Sequence, residues 1–133
     1  MKIFVDTNIF LDVILKRDAC KEGLAVLNGC SAGRFQGTVS DITLLNIDYI
    51  SRKQVKDVRR FLTAINDCFS VVGADNDLFS SALEVAHPDL EDVVQYYSAK
   101  KNGCEVIVTN DLKFYQQDIR VINSHDFVDT FCR

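Results

Sequence analysis

The chain has 133 residues, of which 47% are hydrophobic and 26% are charged. This composition is typical of a folded globular protein and excludes a disordered chain, and no run of about 18 apolar residues predicts a membrane span. The formal net charge of −4 does not indicate a general nucleic-acid binder. Five scattered cysteines without a C-x-x-C pair are typical of reduced thiols, and no signal peptide is recognisable. We therefore expect a cytoplasmic protein with a single domain, residues 1–133.

Strands and helices are predicted to alternate along the chain. The predicted strands are short apolar or β-branched runs at residues 2–5, 37–39, 69–72, 105–109 and 120–122. The predicted helices have apolar residues at helical spacing and cover residues 8–15, 19–32, 41–52, 56–67, 76–86, 90–102, a short turn at 112–115 and the segment from 124 onward. Asp18, Ser40 and Asp89 are the expected N-caps of three of these helices.

This alternation predicts an α/β fold, a three-layer α/β/α sandwich around a mainly parallel central sheet of four or five strands. The runs Ile3–Val5 and Val106–Val108 contain no polar residue, which is typical of strands buried on both faces. In open parallel sheets of this kind, ligands bind beyond the carboxyl ends of the strands. Functional residues are therefore expected just after the strands.

Three acidic residues are expected at this edge of the sheet. Asp6 follows the first strand, Asp111 lies just past the fourth, and Asp92 is in the first turn of the helix that Asp89 caps. Each acid alone is also explained as a helix cap or a partner of a helix dipole. If the first and fourth strands are neighbours, the three carboxylates converge, and a cation would relieve their repulsion. Oxygen ligands without His or Cys indicate Mg²⁺ or Mn²⁺, which would support phosphodiester hydrolysis.

The helix after the second strand carries two polar residues of interest. Asp48 and Arg52 are four residues apart and predict a solvent-facing ion pair. Asn46 lies on an apolar helical stripe formed by Ile42, Tyr49 and Ile50. Its amide needs a hydrogen-bond partner there, and either the catalytic edge or a purely structural group would supply one.

Three segments of the chain carry a resemblance to a known family. They read VDTNIFLDVILKR, VSDITLLNIDYISRK and DLEDVVQYYSAKKNGCEVIVTNDLKF. Their sequences, order and spacing resemble the PIN-domain family over nearly the whole chain. The resemblance implies a parallel sheet between helices and a metal-dependent ribonuclease, in many members a VapC-type toxin of a toxin–antitoxin pair. It therefore implies an RNA substrate, an antitoxin partner and a homodimer, without a membrane.

The resemblance also implies roles for individual residues. The positions that match the metal-binding acids of the family are Asp6, Asp92 and Asp111. The positions that match supporting residues are Thr7, Asn8 and Thr109. Asn46 stands where many members have Glu, so it is a catalytic position that adds no negative charge. Asp89, or less favourably Glu91, would supply that charge.

A run of basic residues follows the same helix and comprises Arg52, Lys53, Lys56, Arg59 and Arg60. A solvated helix face is the ordinary interpretation of such a run. In a ribonuclease, Arg52, Lys53, Lys56 and Arg59 are also candidates for contacts with RNA phosphates.

Other functions compete with this one. A PIN-like module that binds RNA or protein without turnover is favoured by Asn46 and by the negative net charge. A receiver domain would need two acids together after the first strand, where this chain has only Asp6. A phosphatase of the haloacid-dehalogenase type would need D-x-D at the same place, where Asn8 stands instead of the second acid.

Overall fold

The computed structural model describes residues 1–133 and contains five strands and seven helices. The strands are β1 (Lys2–Val5), β2 (Gln36–Ser40), β3 (Ser70–Val72), β4 (Val106–Val108) and β5 (Arg120–Ile122). The helices are α1 (Thr7–Ile14), α2 (Cys20–Ser31), α3 (Asp41–Ser51), α4 (Val58–Cys68), α5 (Asn76–Leu83), α6 (Leu90–Lys101) and α7 (Ser124–Phe131). No helix combines the length and the apolar character that crossing a membrane requires.

All five strands are parallel and lie in the order β3-β2-β1-β4-β5. From β1 the chain adds β2 and β3 on one side and then returns to add β4 and β5 on the other. β1 and β4 are neighbours at the point where the strand order reverses, with Ile3 opposite Val106 and Val5 opposite Val108. The expected adjacency of the first and fourth strands is confirmed. The crevice beyond their carboxyl ends is where open α/β sheets bind ligands.

The two faces of the sheet are covered by separate apolar cores. Ile3 and Val5 lie in the larger core, with buried side chains from α1, α2, α3, α4 and α7. Phe4, between them in sequence, lies in the second core with Ile107 and with Tyr96 of α6. Because successive residues of a strand point to opposite faces, one apolar run fills both cores. The predicted α/β/α sandwich with a five-stranded parallel sheet is confirmed.

Some local predictions are wrong. Asp18 does not cap α2, because the chain enters that helix through a turn in which the N–H of Cys20 donates to the Arg17 carbonyl oxygen. Ser40 is the N-cap residue of α3 as predicted, although its hydroxyl makes no capping hydrogen bond. Where a short helical turn is predicted at residues 112–115, only residues 112–113 form a turn and there is no helix.

The predicted apolar stripe of α3 is not a buried face. Its residues Ile42, Tyr49 and Ile50 are exposed, whereas the buried residues of α3 are Thr43, Ile47 and Ser51. The helix packs on the core through this second, mixed stripe, so apolar character alone does not identify its inner face. Asn46 consequently lies at the margin of the helix, half-buried.

Candidate metal centre

Asp6 is fixed by the junction of β1 and α1. Its backbone extends the sheet by one more hydrogen bond, in which its N–H donates to the Val108 carbonyl oxygen at 3.0 Å. An extended backbone makes it the N-cap of α1, and its Oδ1 accepts from the N–H of Thr7 at 2.7 Å. The carboxylate is therefore held at the carboxyl end of β1, where the residue is only 4% exposed.

The second oxygen of Asp6 is bound by two side chains. Its Oδ2 accepts from the hydroxyl of Thr109 at 2.7 Å and from the amide of Asn8 at 3.1 Å. The Thr109 hydroxyl also accepts from the Asn8 amide at 3.2 Å and from the N–H of Asp111 at 3.1 Å. All three residues predicted to support Asp6, namely Thr7, Asn8 and Thr109, thus contact its carboxylate.

The environment of Asp6 acts on its pKa in both directions. Burial raises the pKa of Asp6, and this is the largest effect. The hydrogen bond from Thr109, the nearby amide of Gln95 and the N–H of Thr7 oppose it by favouring the charged form. The negative charge of Asp111 adds a smaller increase. Asp6 is a buried carboxylate that the protein surrounds with donors.

Three other acids form a cluster beside Asp6. Carboxylate oxygens of Asp89, Asp92 and Asp111 lie within 4.8 Å of one another, and Asp6 lies outside this group. Asp89 is the N-cap of α6, and its Oδ1 accepts from the N–H of Asp92 at 3.3 Å. Asp111 follows β4 and caps its own turn, with its Oδ1 accepting from the N–H of Lys113 at 2.9 Å. The structure therefore gathers the four predicted acids at one edge, where Asp89, Asp92 and Asp111 form the group with the shortest separations.

Asp92 is the least satisfied member of the cluster. It is 4% exposed, and its buried Oδ2 has no hydrogen-bond partner. Burial, and then the charges of Asp89 and Asp6, raise the pKa of Asp92 to about 8. At neutral pH this carboxyl holds a proton unless a cation replaces it.

Asn46 reaches the cluster through Glu91. Its Nδ2 donates to Glu91 Oε1 at 2.7 Å, which gives the amide the partner that its position requires. Burial raises the pKa of Glu91, the bond from Asn46 lowers it, and the charges of Asp6 and Asp89 raise it again. Glu91 thus places a carboxylate near Asp6, although Asn46 itself carries no charge.

The residues on the outer part of α3 lie apart from this centre. Asp48 pairs with Arg52 at 3.9 Å, as their spacing predicted. The candidate RNA-binding residues Arg52, Lys53, Lys56 and Arg59 are all exposed, and none hydrogen-bonds to the acids. Arg52 lies about 9 Å further along the axis of α3 than Asn46, at the usual rise of a helix.

Several residues that contribute to the site do not stand out in the sequence. The hydroxyl of Thr43 is 2.9 Å from that of Thr7 and joins α3 to α1. Asn110 donates its N–H to the Asn8 Oδ1 at 3.1 Å and its amide to Asp12 at 2.9 Å. Thr43 and Asn110 are small polar residues next to predicted ones, and only the tertiary pairing of their elements identifies them.

His87 connects the two loops that carry the clustered acids. Its Nδ1 accepts from the N–H of Asp89 at 3.1 Å, and its Nε2 lies 3.2 Å from the carbonyl oxygen of Lys113. The imidazole therefore bridges the start of α6 and the turn after Asp111. This is a structural role, and no residue spacing in the sequence indicates it.

Comparison of the sequence with known proteins gives matches over most of the chain. A family described as PIN domain matches residues 2–113. Ribonuclease VapC1 of Aquifex aeolicus (strain VF5) is 26% identical over 139 residues, covering 96% of this chain and 94% of that protein.

Solved structures share the fold. A structure described as a toxin-antitoxin complex from Klebsiella pneumoniae has a TM-score of 0.68 at 20% identity, covering 92% of this chain and 97% of that one. Mycobacterium tuberculosis VapC20, described as a Sarcin-Ricin loop cleaving toxin, has a TM-score of 0.64 at 16% identity, covering 79% and 86%. Identities this low establish the shared fold alone.

Proposed function

This chain belongs to the PIN domain family, and we propose that it is a Mg²⁺- or Mn²⁺-dependent endoribonuclease formed as one unit of residues 1–133. In this proposal Asp6, Asp92 and Asp111 hold the metal and RNA phosphodiester bonds are hydrolysed beside them. The name of the relative from Aquifex aeolicus supports a ribonuclease, and the position of the acids at the reversal of strand order supports the location of the site.

One observation carries the metal proposal, namely the buried and unpartnered Oδ2 of Asp92. A buried carboxylate oxygen normally has a hydrogen-bond donor, and this one faces further acids instead. A divalent cation would satisfy that oxygen and offset the mutual repulsion of the carboxylates. The donors are all oxygen atoms, without His or Cys, which fits a hard ion such as Mg²⁺ or Mn²⁺.

The residues of the chain would have different roles at the metal site. When bound, the ion would supply Lewis-acid activation of the phosphodiester and of the attacking water. Asp6, Asp92 and Asp111 would hold it, with Asp89 adding charge from the exposed side. Asn46 would keep Glu91 oriented toward Asp6, which compensates for the missing charge at position 46.

The substrate would extend from the acids along α3. Its phosphates would meet the exposed basic residues at the end of that helix and in the following segment, namely Arg52, Lys53, Lys56 and Arg59. Contacts of this kind give affinity without sequence selectivity, and they weaken with salt. The chain carries a net negative charge, so this basic surface would be the part that attracts RNA.

Titration of Mn²⁺ by calorimetry tests the proposal, with RNA cleavage assayed on the same samples. We expect wild type to bind Mn²⁺ and to cleave RNA only with metal, and Asp6→Asn and Asp92→Asn to lose both. Asp48→Asn is the matched control, because Asp48 is an acid of α3 that pairs with Arg52 outside the site. Folded, partner-free wild type that binds no Mn²⁺ at millimolar concentration would instead support a binding module without turnover.

We further propose that the chain forms a homodimer and that an antitoxin protein restrains it, as expected of a toxin of this type. The complex from Klebsiella pneumoniae, which shares the fold, is described as containing a toxin and an antitoxin. Leu45 (67% exposed) and Tyr49 (71% exposed) are four residues apart on α3 and so lie on one face of the helix, and neighbouring exposed apolar side chains favour association. Light scattering should give the mass of a dimer for wild type, and a lower mass for Tyr49→Glu. A monomeric wild type at high concentration would contradict the homodimer.

A further inference from the structure

Gln95 is a polar side chain in the interior of the protein with no role assigned so far. It lies on α6, is 0% exposed, and neither its Oε1 nor its Nε2 has a hydrogen-bond partner. A primary amide offers two donors and a carbonyl acceptor, and burying all of them unpaired is unfavourable. A buried amide of this kind is stabilised when a polar partner or a ligand satisfies it.

Its position on α6 points to the acids. Gln95 follows Asp92 by three residues, so the two side chains lie one turn apart on the same face of the helix. The Oδ2 of Asp92 is likewise buried and unpartnered. The Gln95 amide also lies close enough to Asp6 to lower the pKa of that carboxylate, although it completes no hydrogen bond with it. Gln95 thus lies beside the two most buried acids of the site.

The remaining unpartnered buried groups are of a different kind. They are the single hydroxyls of Thr38 and Ser51. Thr38 lies in the middle of β2, and its hydroxyl is near the thiol of Cys104 just before β4, at the amino end of the sheet. Unpartnered groups that carry an amide or a carboxylate therefore occur only beside the candidate metal centre.

We propose that Gln95 is a positioning residue of the metal centre, whose amide N–H donates to Asp6 when the site holds its cation. The carbonyl oxygen of the same amide adds an uncharged acceptor to the wall of the site. A bound cation would offset the charge of the neighbouring carboxylates, and the Gln95 donor would hold Asp6 in one orientation. Residues that orient metal ligands in this way commonly change metal affinity 10- to 100-fold. The inference rests on the proposed metal dependence.

Gln95→Met tests the role, because methionine keeps the length of the side chain and removes only the amide. We expect Mn²⁺ to bind about 10-fold more weakly by calorimetry, while the metal-free variant melts at the same or a higher temperature because an unpaired buried amide is gone. Thr38→Val is the matched control: it also removes an unpartnered buried group, and it should leave Mn²⁺ affinity unchanged. Weaker metal binding combined with undiminished stability is the result that a merely structural glutamine would not give.

A second measurement on wild type avoids any dependence on how the variant folds. The side-chain amide resonances of Gln95, assigned by their absence in Gln95→Met, or by residue-selective labelling if that variant does not fold, should shift downfield in ¹⁵N–¹H spectra as Mg²⁺ is added. Exchange of these amide protons with solvent should also slow. The amide of Gln36, which is exposed on β2, should not respond.

The outcomes separate this inference from the proposed function. If wild type binds Mn²⁺ but Gln95→Met binds it equally well and the Gln95 amide does not respond to Mg²⁺, the positioning role is overturned and the metal site stands. If wild type itself binds no Mn²⁺ or Mg²⁺, both fall together.

Discussion

Asp6 and Asp92 lie at the same edge of the sheet and are equally buried, yet they differ in the hydrogen bonds that their carboxylates accept. Asp6 follows a strand, and both of its oxygens accept hydrogen bonds, from Thr7, Asn8 and Thr109. Asp92 lies in the first turn of α6, and its Oδ2 has no hydrogen-bond partner. Burial raises the pKa of both groups, but only Asp6 has donors arranged to offset the effect.

This difference divides the site into two halves. The strand-end half is Asp6 with its donors Thr7, Asn8 and Thr109, and its hydrogen bonds are already formed. The helix half is the cluster of Asp89, Asp92 and Asp111 beside the start of α6, which a ligand would complete. In the strand-end half, the three donors partly offset the effect of burial on Asp6. The helix half brings Asp89, Asp92 and Asp111 together without a donor for the buried oxygen, an arrangement that costs stability. Variants that change one half should therefore affect stability and metal response differently from variants in the other.

The largest effect is expected from Asp92→Asn in metal-free protein. Since the folded-state pKa of Asp92 is about 8, above its ordinary value, the protonated carboxyl gives a stability that is complete below about pH 4 and is lost as the pH rises to about 8. Wild type should lose up to about 1.4 kcal/mol per pH unit in this window, or on the order of 4 kcal/mol by pH 7. Asp92→Asn removes the part of that slope that Asp92 causes, and it should be the more stable protein at pH 7.

Urea unfolding from pH 4 to 8 with EDTA measures the slope. Asp67→Asn, which removes an exposed acid from α4, is the control and should retain the wild-type dependence. Adding Mn²⁺ at pH 7 should stabilise wild type and leave Asp92→Asn unchanged, because ligands stabilise the state that binds them. A slope that is undiminished in Asp92→Asn would assign the destabilisation to another acid of the site.

An intermediate effect is expected when a hydrogen bond of the strand-end half is removed. Thr109→Val removes the hydroxyl that donates to Asp6 Oδ2 and accepts from the N–H of Asp111. Hydrogen bonds to charged groups contribute about 1.5–3 kcal/mol, so the free energy of unfolding at pH 7 should fall by about 2 kcal/mol. Thr109→Ser keeps the hydroxyl and should lose less than about half of that. Equal losses in both variants would mean that packing of the methyl group, and not the hydrogen bond, is responsible.

The strand-end half is also the half that the sequence predicts best. Asp6 and Thr109 follow continuous apolar strands, and a strand that ends at a polar residue fixes that residue at the edge of the sheet. Local pattern does not indicate the order of the strands, but the adjacency of the first and fourth strands alone brings Asp6 and Thr109 together. Local signals and a single topological assumption were sufficient for this part.

The helix half was predicted less completely, because its contacts depend on tertiary packing. The partner of Asn46 is Glu91, on a helix 45 residues further along the chain, and nothing in either segment indicates the pair. The amphipathic pattern of α3 also pointed to the wrong inner face, since Thr43 and Ser51 are buried while Tyr49 is exposed. The burial of Gln95 was not predicted for the same reason, because no local sequence pattern indicates that a polar residue of a helix is buried.

The smallest effect is expected at Asp75, an exposed acid that pairs with the Lys101 side chain. Asp75 caps α5, where its Oδ1 accepts from the N–H of Leu78 at 2.9 Å, and its Oδ2 is 3.0 Å from Lys101 Nζ. The hydrogen bond from Leu78, and then Lys101, lower the pKa of Asp75. Its contribution to stability is thus present above the ordinary pKa of about 4 and is lost as the pH falls below it, opposite in sign to that of Asp92.

Asp75→Asn keeps a side chain that caps helices equally well and removes only the charge. Its melting temperature at pH 7 should fall slightly, and the difference from wild type should shrink in high salt and at low pH, because exposed ion pairs are weak and screened. Melting curves of wild type, Asp75→Asn and Asp92→Asn across the same pH range would place both acids on one scale. Changes of equal size in Asp75→Asn and Asp92→Asn would contradict this comparison. They would mean that the missing hydrogen-bond donor at Asp92 does not make it more important for stability than an exposed acid.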